Sequence, residues 1–296
     1  MPAYPFMQVD AFTDRPLGGN PCAVVFDCAD LDDATMLAIA KEMNLSETAF
    51  VWRKADGNFR ARYFTPAKEI PLAGHPTIAA IFALITTGRL KIQKEYACIP
   101  LELRDGPIDV EIFMKSGQVD RIVMSQRKPQ FLATYSPAEV MPVFGLIMED
   151  LLPGAVVQTV STGTPQLMLP LRDLDVLRRC QVDLAKYIAL RAKSDFFSTH
   201  LFCLQGITEA GRTFARHFSP PPEPFEDPFT GSATGGMAAY LYHYRLISEK
   251  SFIAEQGHWM ERPGQGHVEV IGNPDDIQTV KVGGRAVAVL KGELEI

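Results

Sequence analysis

The chain repeats itself, and that repeat constrains its fold more than any other feature. Gly19-Asn-Pro-Cys-Ala-Val-Val25 reads as a turn running into a buried strand, and Gly163-Thr-Pro-Gln-Leu-Met-Leu169 has the same grammar 144 positions later. Arg62-Tyr-Phe-Thr-Pro66 is echoed by Arg216-His-Phe-Ser-Pro220 at an offset of 154. The segment opening Pro71-Leu-Ala-Gly-His75 is echoed by Pro228-Phe-Thr-Gly-Ser232 at an offset of 157. Three matches in one order, with slowly growing offsets, describe a duplicated architecture.

Each copy is strand-rich. Segments such as Ala49–Trp52, Phe59–Phe64, Val119–Met124, Val156–Thr159 and Val287–Leu290 are short, β-branched or aromatic, and bounded by Gly, Pro or Asp. Each copy also carries one helix that is apolar nearly all round, predicted over Pro76–Thr87, with Gly88 to stop it, and over Ala233–Leu246. A helix apolar on every face has to be enclosed by protein. The expected fold class is therefore α/β (α+β), with two pseudo-symmetric halves, each a barrel-like mixed sheet wrapped around a central apolar helix. A peripheral helix is predicted over Asp33–Met43, with acidic residues at its start and Met36, Leu37 and Ala40 on one face. The boundary is placed so that residues 1–120 form the N-terminal half and 121–284 the C-terminal half, with the last strand, about 285–296, able to join the first.

Composition narrows the function classes. The chain of 296 residues is 47% hydrophobic with 18 Phe and 8 Tyr, enough to fill a core. A net charge of −6 with no Lys/Arg cluster argues against a nucleic-acid partner. It leaves room for a small anion, which senses local donors. No apolar run reaches the roughly 18 residues of a membrane span. The N-terminal residues lack a signal-peptide pattern. The five cysteines are scattered without a CxxC pair and the six histidines lack metal-ligand spacing, so the reading is a cytoplasmic protein without a metal site.

Both apolar helices begin just after a glycine-containing turn, at Gly74-His75-Pro76 and Gly231-Ser232-Ala233. Such starts expose unpaired N–H groups and the positive end of a dipole, and two facing one cleft would bind a small carboxylate without Arg or Lys. The plainer reading, tight turns into helices, fits either one alone; repetition favours the site. His75, Asp227 and Ser232 lie on or beside these turns. In Asn44-Leu-Ser-Glu-Thr-Ala-Phe50, Glu47 precedes an apolar strand, an awkward place for a charge unless it lines a cleft. An enclosed carboxylate there would tend to a raised pKa and could carry a proton both ways near neutral pH. A solvated Glu at a strand end is the bland alternative.

With these residues in view, the chain resembles the phenazine-biosynthesis PhzF-like proteins over essentially its whole length. The matching motifs are Asp10-Ala-Phe-Thr13, Gly19-Asn-Pro21, Asn44–Phe50, Arg62–Pro66, Glu69-Ile-Pro-Leu-Ala-Gly-His75 and Glu226-Asp-Pro-Phe-Thr-Gly-Ser232. The resemblance implies a diaminopimelate-epimerase-like fold with the site between the halves, a homodimer, and a cofactor-independent isomerase in which Glu47 moves a proton within a small carboxylic acid. It assigns His75 and Asp227 beside Glu47 as catalytic residues. Ser46, Gly74, Gly231 and Ser232 would bind the substrate, with Asn20 on the cleft wall. Related racemases use one cysteine at the start of each central helix; here Ala73 and Thr230 stand there, and neither is a base unaided. Cys22 is read as a core residue. The alternatives are a non-catalytic small-carboxylate binding protein on the same scaffold and, third, an epimerase or racemase.

Overall fold

The computed structural model describes residues 2–221 and 225–296. The chain divides into two compact units, one running to Ser125 and including Gly283–Ile296, the other Gln126–Val282. The first unit contains β1 (Ala3–Ala11), β2 (Asn20–Phe26), α1 (Asp33–Met43), β3 (Glu47–Arg53), β4 (Phe59–Phe64), β5 (Glu69–Ile70), α2 (Gly74–Thr86), β6 (Tyr96–Leu103), β7 (Gly106–Lys115) and β8 (Gln118–Ser125). The second contains β9 (Gln130–Tyr135), α3 (Pro137–Val140), β10 (Val157–Ser161), β11 (Pro165–Pro170), α4 (Leu174–Arg179), α5 (Leu184–Ala192) and β12 (Ser198–Cys203). It continues through β13 (Gly211–Phe218), β14 (Glu226–Asp227), α6 (Gly231–His243), β15 (Ser251–Gln256), β16 (Gly264–Asn273) and most of β17 (Asp276–Gly284). The last strand, β18 (Ala286–Glu295), pairs antiparallel with β1 and so belongs to the first unit.

The two units are built to one plan. In the first, β18, β1 and β2 are successively antiparallel, β2 runs parallel to β3, β3 antiparallel to β4, β4 parallel to β6, and β6 antiparallel to β7. In the second, β9, β10, β11, β12, β13, β15 and β16 follow the same succession of directions. A two-residue strand folds back on β4 in one case and on β13 in the other. The duplication read in the sequence is thus reproduced strand for strand, and each unit is the expected mixed sheet with one apolar helix against it. Helix α2 packs against β1, β2, β3, β4, β8 and β18, and α6 against β10, β11 and β16.

Outside each sheet sit the amphipathic helices. Met36, Ile39 and Ala40 of α1 pack on Val25, Phe50 and Phe64, while Val176, Leu177, Tyr187 and Leu190 of α4 and α5 pack on Leu201 and Cys203. Helix α1 starts where Asp32 accepts from the Thr35 N–H at 2.8 Å and ends where Asn44 turns left-handed at φ 49°. That turn delivers the chain directly into β3, whose first residue is Glu47.

Both central helices begin two residues before the predicted start. Ala73 and Thr230 keep extended backbone angles and act as N-caps, so Gly74 and Gly231 are the first helical residues. The correction matters because it moves His75 and Ser232 onto the first turn, among the N–H groups without intrahelical partners.

An ion pair repeats with the fold. Arg62 Nε and Nη2 donate to both oxygens of Glu69 at 2.8 Å, and Arg216 makes the same two bonds to Glu226 at 2.8 Å. Each guanidinium also lies over a ring of its own strand, Phe64 at 5.1 Å and Phe218 at 4.8 Å. The bidentate fork staples the two-residue strand that leads into each central helix. Replacing Arg216 with Ala strands a half-buried carboxylate and is expected to cost about 3 kcal/mol in urea unfolding. The paired Arg216→Met/Glu226→Leu variant is expected to lose less than Arg216→Ala; a larger loss would contradict this account.

Candidate active site

In the first unit the structure brings Glu47 and His75 together. Gly19, at φ +51°, makes the turn into β2; a Cβ there would lie 2.0 Å from the Ala11 carbonyl oxygen. Asn20 follows, fully buried as the first residue of β2. Two residues on, Cys22 pairs with Glu47 across the parallel β2–β3 ladder. Glu47 Oε2 lies 3.3 Å from His75 Nε2, with the Glu side chain 20% exposed and the His side chain 6%. Ser46, partly exposed, immediately precedes Glu47, and Gly74 immediately precedes His75 at the N-terminus of α2.

Burial holds His75 neutral. Loss of hydration drives its pKa down to about 3, outweighing a hydrogen bond to the Pro21 backbone that acts the other way. Proline has no N–H, so the imidazole donates its single proton to the Pro21 carbonyl. Nε2 takes no part in that bond and is therefore the unprotonated nitrogen, 3.3 Å from Glu47 Oε2. Burial disfavours a second proton on this imidazole. Burial pushes the Cys22 thiol well above its usual range, and the nearby Glu47 charge adds to this. Cys22 is an inert core residue, as expected.

The second unit departs from the first at these same positions. By strand register Ser198 stands where Glu47 stands, opposite Gln166 as Glu47 is opposite Cys22, and the 157-residue offset puts Ser232 in the place of His75. Hydroxyls replace the titratable pair, so only the first unit carries it. At the start of α6, Gln166 Nε2 donates to Ser232 Oγ at 3.0 Å, while Gln126 Nε2 and Thr162 Oγ1 donate to the carbonyls of Gly231 and Ser232 at 2.8 and 3.3 Å. Asp227 lies opposite His217 on β13 and accepts from the Thr230 hydroxyl at 2.5 Å. Asp227, Gly231 and Ser232 are thus grouped at one helix start.

Three features were not foreseen from the sequence. Thr230, dismissed for want of an activating partner, has a carboxylate on its hydroxyl. Gln166 could have been found by laying the two Gly-x-Pro motifs over each other. His200 and His217, distant in sequence, face each other on β12 and β13 with Nδ1 atoms 3.3 Å apart, both fully buried. Among the described residues, no three His, Cys, Asp or Glu side chains are grouped to hold a metal ion, and no helix is long and apolar enough to cross a membrane.

The model of the phenazine biosynthesis-like protein family matches residues 9–292. The chain is 33% identical to trans-2,3-dihydro-3-hydroxyanthranilate isomerase of Pseudomonas aeruginosa, covering 97% of this chain and 98% of that one. It is 31% identical to an uncharacterised isomerase of Clostridium acetobutylicum over 98% of each chain. Among solved structures, the Bacillus anthracis phenazine biosynthesis protein of the PhzF family aligns with TM-score 0.89 at 31% identity over the whole of both chains. A hydroxyproline epimerase from Agrobacterium vitis shares the fold, with TM-score 0.66 at 11% identity over 99% of this chain and 92% of that one.

Proposed function

This chain belongs to the phenazine biosynthesis-like family and is an isomerase, and from that premise we propose that Glu47 moves one proton between two carbons of a small carboxylic acid. The observation that carries the reading is the Glu47–His75 pair at 3.3 Å, in which the imidazole is neutral and its N–H is committed to Pro21. The Glu47 carboxylate removes a proton from carbon, and the electron pair delocalises into the unsaturated acid. The resulting carboxyl O–H rests against His75 Nε2. From there the same proton returns to a second carbon, restoring the carboxylate. Because His75 resists protonation, it accepts a hydrogen bond without draining the proton away, which suits a carrier that must give up what it took.

The N–H groups at the start of α2, around Gly74, are donors for the substrate's carboxylate, with Ser46 supplying a hydroxyl. Asp227, Gly231 and Ser232 are proposed as further substrate-holding groups, as the family resemblance implies. The name of the Pseudomonas relative supplies the first compound to try. Incubated in D₂O with trans-2,3-dihydro-3-hydroxyanthranilate and a panel of unsaturated or amino-bearing acids, the protein is expected to isomerise one of them, with NMR locating any deuterium that enters during the transfer. Binding without isomerisation or exchange across the whole panel would instead indicate a carboxylate-binding protein.

A further inference from the structure

We propose that Gln256 is a positioning residue of the second unit, whose buried amide fixes the Thr230 hydroxyl on Asp227. This rests on the reading of Asp227 as a substrate-holding group. Gln256 ends β15 and is 1% exposed. Its Nε2 donates to the Asp227 carbonyl at 2.6 Å and to Thr230 Oγ1 at 3.3 Å, and its Oε1 accepts from the Thr230 N–H at 3.2 Å. Both amide protons are thereby engaged. With a donor from Gln256 on Thr230 Oγ1, the hydroxyl's own proton points away from that donor, to Asp227 Oδ2 at 2.5 Å. The amide dictates which way the hydroxyl faces.

The reach from β15 to this turn is short and rigid. Gly257, at φ +83°, lies so close beneath Pro228 that a Cβ would come within 2.5 Å of the Pro228 carbonyl oxygen. The fold alone does not require the amide. In β4–β6 register, Arg60 is opposite Glu102, and in β13–β15 register the matching Phe214 is opposite Glu255. One residue further along, the first unit therefore has Leu103, buried, where the second has Gln256. The cap of the first unit's central helix is Ala73, without a hydroxyl. Gln256, Thr230 and Asp227 occur together at one helix start, whereas the matching positions of the first unit hold Leu103, Ala73 and Ile70, and that unit folds without them. A set of groups that the scaffold can dispense with, converging on a substrate-holding carboxylate, serves the site.

The duplicate also supplies the test variant. Gln256→Leu installs the residue that the first unit tolerates in the same place, so it is expected to fold, as judged by circular dichroism. With threonine methyls ¹³C-labelled, three-bond couplings should report one Thr230 χ1 rotamer in the unmodified protein and averaging in Gln256→Leu. On the compound that the unmodified protein isomerises, Gln256→Leu is expected to lower kcat about 10- to 100-fold. Combined with Asp227→Asn it should cost little beyond Asp227→Asn alone, because both act through one carboxylate. Thr230 couplings unchanged in Gln256→Leu would overturn the proposal, as would losses that multiply. If the unmodified protein isomerises nothing, the isomerase mechanism fails, and the Thr230 couplings still decide this assignment.

Discussion

Glu47→Gln is expected to lower isomerisation by about 10²- to 10⁴-fold, the usual worth of a positioned acid–base group, with little change in melting temperature. Gln keeps the shape of the side chain and can donate an N–H to His75 Nε2, so the local packing survives. What disappears is a proton that can leave and return. Glu47→Asp keeps the proton but withdraws it by one methylene from both His75 and the substrate, so it should fall between the two. Deuterium uptake and product formation, followed by NMR on the same sample, read the effect directly. A Glu47→Gln protein with a tenth or more of the normal rate would remove Glu47 from the mechanism.

Acidification from pH 7.5 to pH 5 is expected to cost about 4 kcal/mol of folding stability through the buried His75 and His217, with a further loss through His200. His75 and His217 are held down to about 3 by burial, and His200 is also well below its usual value, through burial first and then the neighbouring His217. In the unfolded chain each titrates near ~6.5. Between these values the unfolded state binds protons that the folded state refuses. Stability is therefore full above pH ~6.5 and drains as the pH falls toward 3, by about 2 kcal/mol at pH 5 for each of His75 and His217. That loss rivals the whole stability of a domain. Ala49 and Tyr63 occupy the places of His200 and His217 in the first unit, where the Tyr63 hydroxyl meets Thr77 Oγ1 at 2.7 Å. The repeat puts Thr234 at the position of Thr77, so His200→Ala/His217→Tyr has a hydroxyl partner ready. This variant should remove about 2 kcal/mol of the acid sensitivity through His217, and the share of His200 besides, in urea unfolding. A difference below about 1 kcal/mol between pH 7.5 and pH 5 in the unmodified protein would show that these imidazoles protonate while folded.

Some of the candidate site was legible because it lies in contiguous motifs. Ser46 and Glu47 share one motif and Gly74 and His75 another; the repeat marked both helix starts. What no motif could carry was the distance between Glu47 and His75, since nothing in the spacing of residues 47 and 75 says that β3 and α2 meet at those side chains. The same holds for Gln256, which touches Asp227 and Thr230 only because β15 lies parallel to β13 and ends beside the turn. The cap positions were misjudged by two residues for a local reason. Pro76 looks like a first helical residue, but an extended Ala73 with no capping side chain lets the helix begin at Gly74.

By itself the sequence determined the duplication, the strand-rich architecture with one apolar helix in each copy, and the short list of polar residues on the turns. Periodicity, turn residues and repeated motifs are local, and they survive without knowledge of the fold. Tertiary structure decided the protonation chemistry. His75 is neutral because it is buried, its Nε2 is the unprotonated nitrogen because the ring N–H is bonded to Pro21, and Thr230 donates to Asp227 because Gln256 occupies its other side. Both depend on desolvation and on hydrogen-bond partners far away in sequence, and neither exists until the strands are paired.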